Sequence, residues 1–166
     1  YPASILDDNF CTRWSFYANT PMSERIKKQL YPSLQKAILG KSQYEAANIL
    51  LNFVQTAFVY EYDDKVWGKD RAFFAEESLY YPYCDCEDRS ILFSRLVRDL
   101  LDLKVVLVYY PGHLATAVHF STEVPGDYLK LNDKRFTVCD PTYIGAPVGA
   151  TMPDMNNVEA KVILLE

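Results

Sequence analysis

The hydrophobic positions of the chain have helical spacing in its first part and strand-like spacing in its second. Between residues 42 and 58 apolar side chains recur every three or four positions and form one broad helix face: Ala46, Ile49, Leu50, Phe53, Val54, Ala57 and Phe58. Ser42 and Glu45 have the spacing of a capping box, in which each side chain accepts a hydrogen bond from the other residue's backbone N–H. The pattern predicts a buried helix that begins after Ser42.

A second helical pattern runs from Glu87 to Leu101. Two adjacent rows of apolar side chains recur in it at four-residue spacing: Leu92, Leu96 and Leu100, and Phe93, Val97 and Leu101. Asp85 is placed as an N-cap, and Asp88 stands three residues beyond it in a box-like arrangement. We therefore predict a helix whose first turn carries Cys86.

The first 41 residues carry weaker signals. Residues 10–18 mix aromatic and polar side chains in a roughly alternating order, which is typical of a short strand or an aromatic anchor. Thr20-Pro21 resembles an N-cap followed by proline at the first helical position, and two short helical stretches are predicted around Pro32. We assign residues 1–41 as an extension packed on a core of residues 42–166, within a single domain overall.

The later part of the chain has the patterns of a sheet. Residues 105–110 form a short β-branched and aromatic run, which predicts a buried strand. Pro111-Gly112 predicts a turn before another strand from His113 to Phe120. Two further strands complete a small sheet, at residues 135–140 and 161–165. Helices first and an antiparallel sheet afterwards is the order of an α+β fold.

Composition excludes two classes of partner. Of the 166 residues 49% are apolar and 14% aromatic, which indicates a globular protein with a packed core. The formal net charge is −5, with no Lys/Arg cluster to neutralise a nucleic-acid backbone or hold an anionic membrane. No apolar run approaches the roughly 20 residues that span a bilayer. We predict no nucleic-acid partner and no membrane insertion by this segment.

Cys86 stands where a sulfur nucleophile is commonly activated. Cys84 and Cys86 flank Asp85 directly before the predicted helix. Backbone N–H groups and the positive end of the helix dipole favour a thiolate there. The neighbouring carboxylates oppose it, so activation requires a nearby cation. We interpret Cys86 as the candidate nucleophile and Cys84 as its main rival.

His113 is the candidate source of that cation. It begins a strand directly after the tight turn, where its ring can project over an adjacent helix end. On the strand it shares a face with Ala115 and Ala117, and these small side chains lead us to expect the Cys86 helix to pack closely against that face.

Asp140 is the candidate acid that orients the imidazole. It ends the strand of residues 135–140, because Pro141 prevents the ladder from continuing. A carboxylate at a strand end can hold one imidazole tautomer. Alternation places Cys139 on the opposite face, so Cys139 is interpreted as a core thiol.

An oxyanion hole needs a second donor besides the backbone N–H of Cys86. Gln55, near the end of the preceding helix, is the first candidate. Trp67 and a tyrosine of the long loop predicted over residues 60–83 are the alternatives. The opposing interpretation of Gln55 is an ordinary exposed glutamine.

A metal site is disfavoured. Cys84, Cys86 and His113 supply three potential ligands, but Cys-x-Cys is not the common zinc spacing and no fourth ligand is evident. His119 is separated from His113 by six residues of strand, roughly 20 Å. We predict no metal and no cofactor.

Three blocks of the sequence together resemble the transglutaminase-like superfamily. They are Cys-Glu-Asp-Arg-Ser-Ile-Leu-Phe from Cys86, then Gly112-His113, then Cys139-Asp140-Pro141-Thr142, in the family's order. The Asp-Cys-Glu-Asp-Arg helix start, Tyr-Pro-Gly-His and Asp-Pro-Thr are more similar to its bacterial cysteine-protease branch. The resemblance covers roughly residues 42–145. Cys84 stands where the family often has glycine, and Leu114-Ala115 where it often has Ala-Trp.

The resemblance implies a papain-like fold, with N-terminal helices packed on a small antiparallel sheet. It also implies a Cys-His-Asp triad, here Cys86, His113 and Asp140, that acts on a peptide or protein through a thioester intermediate. Hydrolysis is favoured over transamidation. The alternative is a catalytically inert binding or assembly module of a larger bacterial protein.

The chain begins with Tyr1 rather than Met, as expected of a processed or trimmed piece of a larger multidomain protein. An export signal would stand upstream of Tyr1. The sequence therefore predicts no compartment, and a bacterial periplasmic or envelope location and a cytoplasmic one both remain open.

Overall fold

The structure is a computed structural model that describes residues 3–5, 9–62, 73–81, 83–155 and 159–166. Its helices are α1 Asn9–Asn19, α2 Glu24–Ile38, α3 Gln43–Thr56, α4 Ala75–Tyr80 and α5 Cys86–Leu101, with a 3-10 turn at Pro153–Met155. Its strands are β1 Ala3–Ile5, β2 Val59–Tyr60, β3 Tyr83–Cys84, β4 Lys104–Tyr110, β5 His113–His119, β6 Tyr128–Leu131, β7 Lys134–Cys139 and β8 Ala160–Leu164. Within the described ranges no helix is long and apolar enough to cross a membrane.

The main sheet has the strand order β1-β8-β4-β5-β7-β6 and is antiparallel except for the pairing of β1 with β8. A separate pair, β2 with β3, is parallel. The predicted α+β class is confirmed, and the four predicted strands correspond to β4, β5, β7 and β8. The edge strands β1 and β6 were not predicted.

The two faces of the sheet belong to separate cores. On one face Leu92 and Leu96 of α5 join Leu114 and Val118 of β5 in the larger cluster. On the other face the sheet curls on itself, and its buried members are Val106, Val108, Tyr110, Ala115, Ala117, Leu129, Phe136, Ala160 and Val162. The expectation that the Cys86 helix packs on the alanine face is therefore wrong. The helix lies on the face with larger side chains, which buries more apolar area.

Helices α3 and α5 begin as predicted. Ser42 accepts a hydrogen bond from the backbone N–H of Glu45 at 3.2 Å, and Glu45 accepts one from the Ser42 backbone at 3.4 Å. Asp85 and Asp88 form the same reciprocal box at the start of α5. These caps satisfy backbone donors that have no partner inside a helix.

The helices of residues 1–41 differ from their prediction. Residues 10–18 lie in helix α1, so the strand alternative is wrong, whereas Trp14 is an anchor, buried with its ring centroid 5.5 Å from that of Tyr109. Helix α2 is capped by Ser23 rather than Thr20 and continues through Pro32. The missing proline N–H removes one helix hydrogen bond. Burial of Tyr31 and Leu34 on either side of Pro32 holds the helix together.

Part of the predicted loop of residues 60–83 is ordered as regular structure. Helix α4 occupies Ala75–Tyr80, and β2 and β3 pair Val59 with Tyr83 and Tyr60 with Cys84. Residues 63–72 and 82 lie outside the described residues. The short β2–β3 pair is what positions the chain directly before Cys86.

Candidate active site

Cys86 is the first residue of α5 and its side chain is partly exposed. Its cap is held from both sides, because Asp85 accepts from the backbone N–H of Glu87 at 3.1 Å and of Asp88 at 3.3 Å. Asp88 in turn accepts from the backbone N–H of Asp85 at 3.2 Å and of Phe73 at 2.9 Å. The sulfur is thus fixed at the positive end of a well-capped helix.

The surroundings of the sulfur nevertheless favour the thiol. Burial raises the pKa of Cys86 to about 12, and the charges of Asp85, Glu87 and Asp140 act in the same direction. A hydrogen bond with the Leu114 backbone opposes the rise. The helix end alone therefore does not produce a thiolate at neutral pH, and a counter-charge is required.

His113 begins β5 and is buried against Asp140. Its Nε2 lies 2.7 Å from Oδ2 of Asp140, and its ring stacks on Tyr110 with centroids 6.2 Å apart. The Asp140 contact uses Nε2, so Nδ1 is the ring nitrogen left for proton exchange with another group. The Pro111-Gly112 turn that places the ring is as predicted, with Tyr110 paired to His113 and Gly112 at a φ of 76°.

Asp140 follows β7 and is held by its own turn. Oδ1 accepts hydrogen bonds from the backbone N–H of Thr142 at 2.9 Å and of Tyr143 at 3.3 Å, which leaves Oδ2 for His113. The carboxyl is buried, with 2% of the residue exposed. This arrangement orients the carboxylate toward the imidazole and keeps it out of bulk water.

Leu114 joins the helix that begins at Cys86 to strand β5. Its backbone hydrogen-bonds the sulfur of Cys86, and its carbonyl accepts from Ser90 Oγ at 2.9 Å, one turn further along α5. Leu114 directly follows His113, so the start of α5 is hydrogen-bonded to the strand that carries the imidazole. Asp140 thus contacts His113 and lies close enough to Cys86 for its charge to raise the pKa of the thiol, and the backbone of Leu114 links Cys86 to β5.

Gln55 is neither an exposed glutamine nor a side chain with a donor free for an oxyanion. It is 2% exposed, so it is not an ordinary surface glutamine. Its Nε2 donates to the backbone carbonyls of Asp140, Tyr143 and Ala146, so its donors are already engaged. These bonds give the oxyanion role no support. Trp67, the first alternative, lies outside the described residues.

Tyr60 is the loop tyrosine that approaches the sulfur. Burial raises the pKa of Tyr60, and the charge of a Cys86 thiolate would raise it further. The guanidinium of Arg89 lies 5.4 Å from the Tyr60 ring centroid, and β2–β3 pairing places Tyr60 opposite Cys84. A tyrosine of this loop was among the predicted donors, but no local pattern singled out Tyr60 before the strand pairing was visible.

The other described thiols have core positions. Cys84 is buried, and burial raises its pKa to about 11. Cys139 is fully buried, and burial raises its pKa as well. Of these three described cysteines, Cys86 is thus the most exposed.

Two solved structures share the fold. Legionella pneumophila LapG in an EGTA-treated form aligns with a TM-score of 0.56 over 98% of this chain and 88% of its own, at 13% sequence identity. Legionella pneumophila LapG in a second structure aligns with a TM-score of 0.51 over 95% of this chain and 83% of its own, at 14% identity. No protein-family model and no curated protein matches the chain. At these identities the likeness establishes a common fold.

Proposed function

We propose that this chain is a cysteine-dependent hydrolase of the transglutaminase-like superfamily, built on a papain-like fold and acting on peptide or protein amide bonds. The observation that carries the proposal is the buried 2.7 Å contact between His113 and Asp140 beside the start of the Cys86 helix. The three sequence blocks that resemble the superfamily, and the fold shared with the LapG structures, support the same assignment.

The proposed activation is transfer of the Cys86 proton to Nδ1 of His113. The carboxylate of Asp140, on Nε2, stabilises the imidazolium that forms. The imidazolium in turn supplies the positive charge that the sulfur lacks in its buried, carboxylate-rich surroundings. A neutral imidazole leaves Cys86 as a thiol, so the ion pair is the reactive state.

In the acylation step the thiolate attacks the substrate carbonyl carbon and a carbon–sulfur bond forms. The oxyanion is stabilised by the backbone N–H of Cys86 and by the hydroxyl of Tyr60. The carbon–nitrogen bond then breaks, and His113 returns its proton to the departing amine. Water, deprotonated by His113, attacks the thioester, releases the acid and restores the Cys86 thiol.

An inert binding or assembly module is the second candidate function. The observation that favours it is the pKa of Cys86, which burial raises to about 12. On that account the fold is retained, His113 and Asp140 form a structural pair, and the thiol takes no part in chemistry.

Cleavage of a peptide library separates the two functions. New peptide termini, identified by mass spectrometry, should appear with the native chain and disappear with Cys86→Ala. Cys84→Ala is the control, because Cys84 is buried and has no proposed role, and it should keep the activity. Absence of cleavage by the native chain across the library supports the inert module.

A further inference from the structure

The side chain of Gln55, on helix α3, forms hydrogen bonds with the backbone of the turn that begins at Asp140. Nε2 of Gln55 donates to the carbonyl oxygens of Asp140 at 3.1 Å, Tyr143 at 2.9 Å and Ala146 at 3.0 Å. Oε1 accepts from the backbone N–H of Gly145 at 3.2 Å. Three carbonyls around one amide nitrogen fix the orientation of the side chain, because only the NH₂ end can donate.

The backbone of Gln55 is tied to the nucleophile helix. Its carbonyl accepts from Nη1 of Arg89 at 3.1 Å, and Nη2 of Arg89 donates to the carbonyl of Phe58, also at 3.1 Å. Arg89 is 1% exposed and lies one helical turn after Cys86. Gln55 therefore contacts both the helix that starts with Cys86 and the turn that starts with Asp140.

Helix α3 carries two other amide side chains that reach toward the sheet. Gln43 exchanges two hydrogen bonds with Ser121, at 3.1 and 2.9 Å. Asn48 accepts from the backbone N–H of Val148 at 2.8 Å. Both tie α3 to loops beyond the sheet, as Gln55 does, but their contacts lie away from Asp140.

We propose that Gln55 is a positioning residue of the hydrolase proposed above: it fixes the Asp140 turn relative to the Cys86 helix and so maintains the His113–Asp140 contact. The inference rests on the proposed function. A hydrogen bond to a charged group depends steeply on distance and angle, and the buried turn has no bulk water to replace the lost donors. Without Gln55 the carboxylate shifts, the imidazolium loses stabilisation, and the pKa of Cys86 rises.

The test is the pH profile of Cys86 alkylation by iodoacetamide, in the native chain and in Gln55→Met. Below the pKa of the thiol, a rise of one pKa unit lowers the thiolate fraction, and with it the labelling rate, about tenfold. We expect at least that loss near neutral pH. Gln55→Glu is the second variant, since it keeps the size of the side chain and the acceptor for Gly145 but removes both amide donors.

Asn48→Leu is the matched control, because it removes an amide contact from the same helix to the same loop without touching the Asp140 turn. It should label like the native chain. Native labelling by a folded Gln55 variant overturns the positioning role, and so does an equal loss in Asn48→Leu. Failure of both Gln55 variants to fold assigns Gln55 to the fold alone and also overturns the role. Failure of the proposed function is distinct, since the native chain itself would then show no His113-dependent labelling.

Discussion

At the scale of single residues, the surroundings of Cys86 act on the pKa of its thiol in opposite directions. Cys86 sits at a helix start that favours a thiolate, yet burial and three carboxylates raise its pKa to about 12. A nucleophile in such a place depends on its base more strongly than an exposed cysteine does. The proposed dependence of Cys86 on His113 is therefore the most informative property to test at this site.

Tyr60→Phe tests the proposed oxyanion donor. Loss of the hydroxyl should lower the rate of hydrolysis of a cleaved library peptide by about 100-fold, the usual effect of removing one such donor. Alkylation of Cys86 by iodoacetamide generates no oxyanion and should keep its native rate. Tyr62→Phe is the control, since Tyr62 packs edge-on against Tyr60 at 5.4 Å and is exposed. Equal hydrolysis by Tyr60→Phe and the native chain would remove Tyr60 from the mechanism.

Local sequence signals predict the three candidate triad residues but not the residues that contact them. Each of the three stands next to a strong local signal. Cys86 follows a helix cap, His113 follows a Pro-Gly turn, and Asp140 precedes a proline that ends a strand. Gln55 has no such signal. Its side chain donates to carbonyls that lie 85 to 91 residues further along the chain. A contact of that range becomes visible only when helix α3 is packed against the sheet.

At the scale of elements, capped helices and β-branched strands were predictable because their signals are local. Strand β6 was missed although Asn132 and Asp133, which both have positive φ, form the two-residue turn between β6 and β7. Asn and Asp tolerate that conformation, so the turn was a readable signal. Strand β1 has only three residues, and its pairing with β8 depends on distant sequence.

The loop after β7 packs closely against the segment before β6, at Gly149 and Gly126. Both Gly126 and Gly149 have positive φ, and a Cβ added to Gly149 would lie 2.4 Å from the carbonyl oxygen of Pro125. Gly149→Ala should therefore lower the free energy of unfolding by more than about 3 kcal/mol, through the clash and the left-handed backbone together. Urea denaturation measures the loss.

Gly40→Ala is the matched control for that substitution. Gly40 also has a positive φ, of 71°, but no atom lies within 4 Å of its added Cβ. It should cost about 1 kcal/mol, from backbone strain alone. Equal losses for the two variants would contradict the close approach of Gly126 and Gly149.

At the scale of the whole molecule, helices α1 and α2 share the core of the rest. Trp14, Met22 and Leu34 belong to the same buried cluster as Leu92 and the helix-facing side of the sheet. Asn19 adds polar ties, because its Oδ1 accepts from Arg98 Nη1 at 2.9 Å and from the backbone N–H of Glu166 at 3.1 Å. We propose that the extension and residues 42–166 fold as one unit.

Removal of residues 1–41 should therefore abolish the cooperative thermal transition followed by circular dichroism, because it exposes the surfaces of α5 and α3 against which α1 and α2 pack. Removal of residues 1–5 alone, which deletes the edge strand β1, is the control and should lower the melting temperature modestly. A cooperative transition retained by residues 42–166 would show that the extension is dispensable for folding.

In the proposed mechanism His113 makes Cys86 a nucleophile. The pH dependence of iodoacetamide alkylation at each cysteine, resolved by peptide mass spectrometry, measures this directly. Cys84, whose pKa burial raises to about 11, is the internal reference. His119→Ala controls for the loss of a histidine elsewhere on β5. We predict rapid labelling of Cys86 below about pH 7 in the native chain and in His119→Ala, and labelling only in alkaline solution in His113→Ala. Slow labelling of Cys86 in the native chain, with the same profile in His113→Ala, would contradict the account and leave the inert module as the function of this fold.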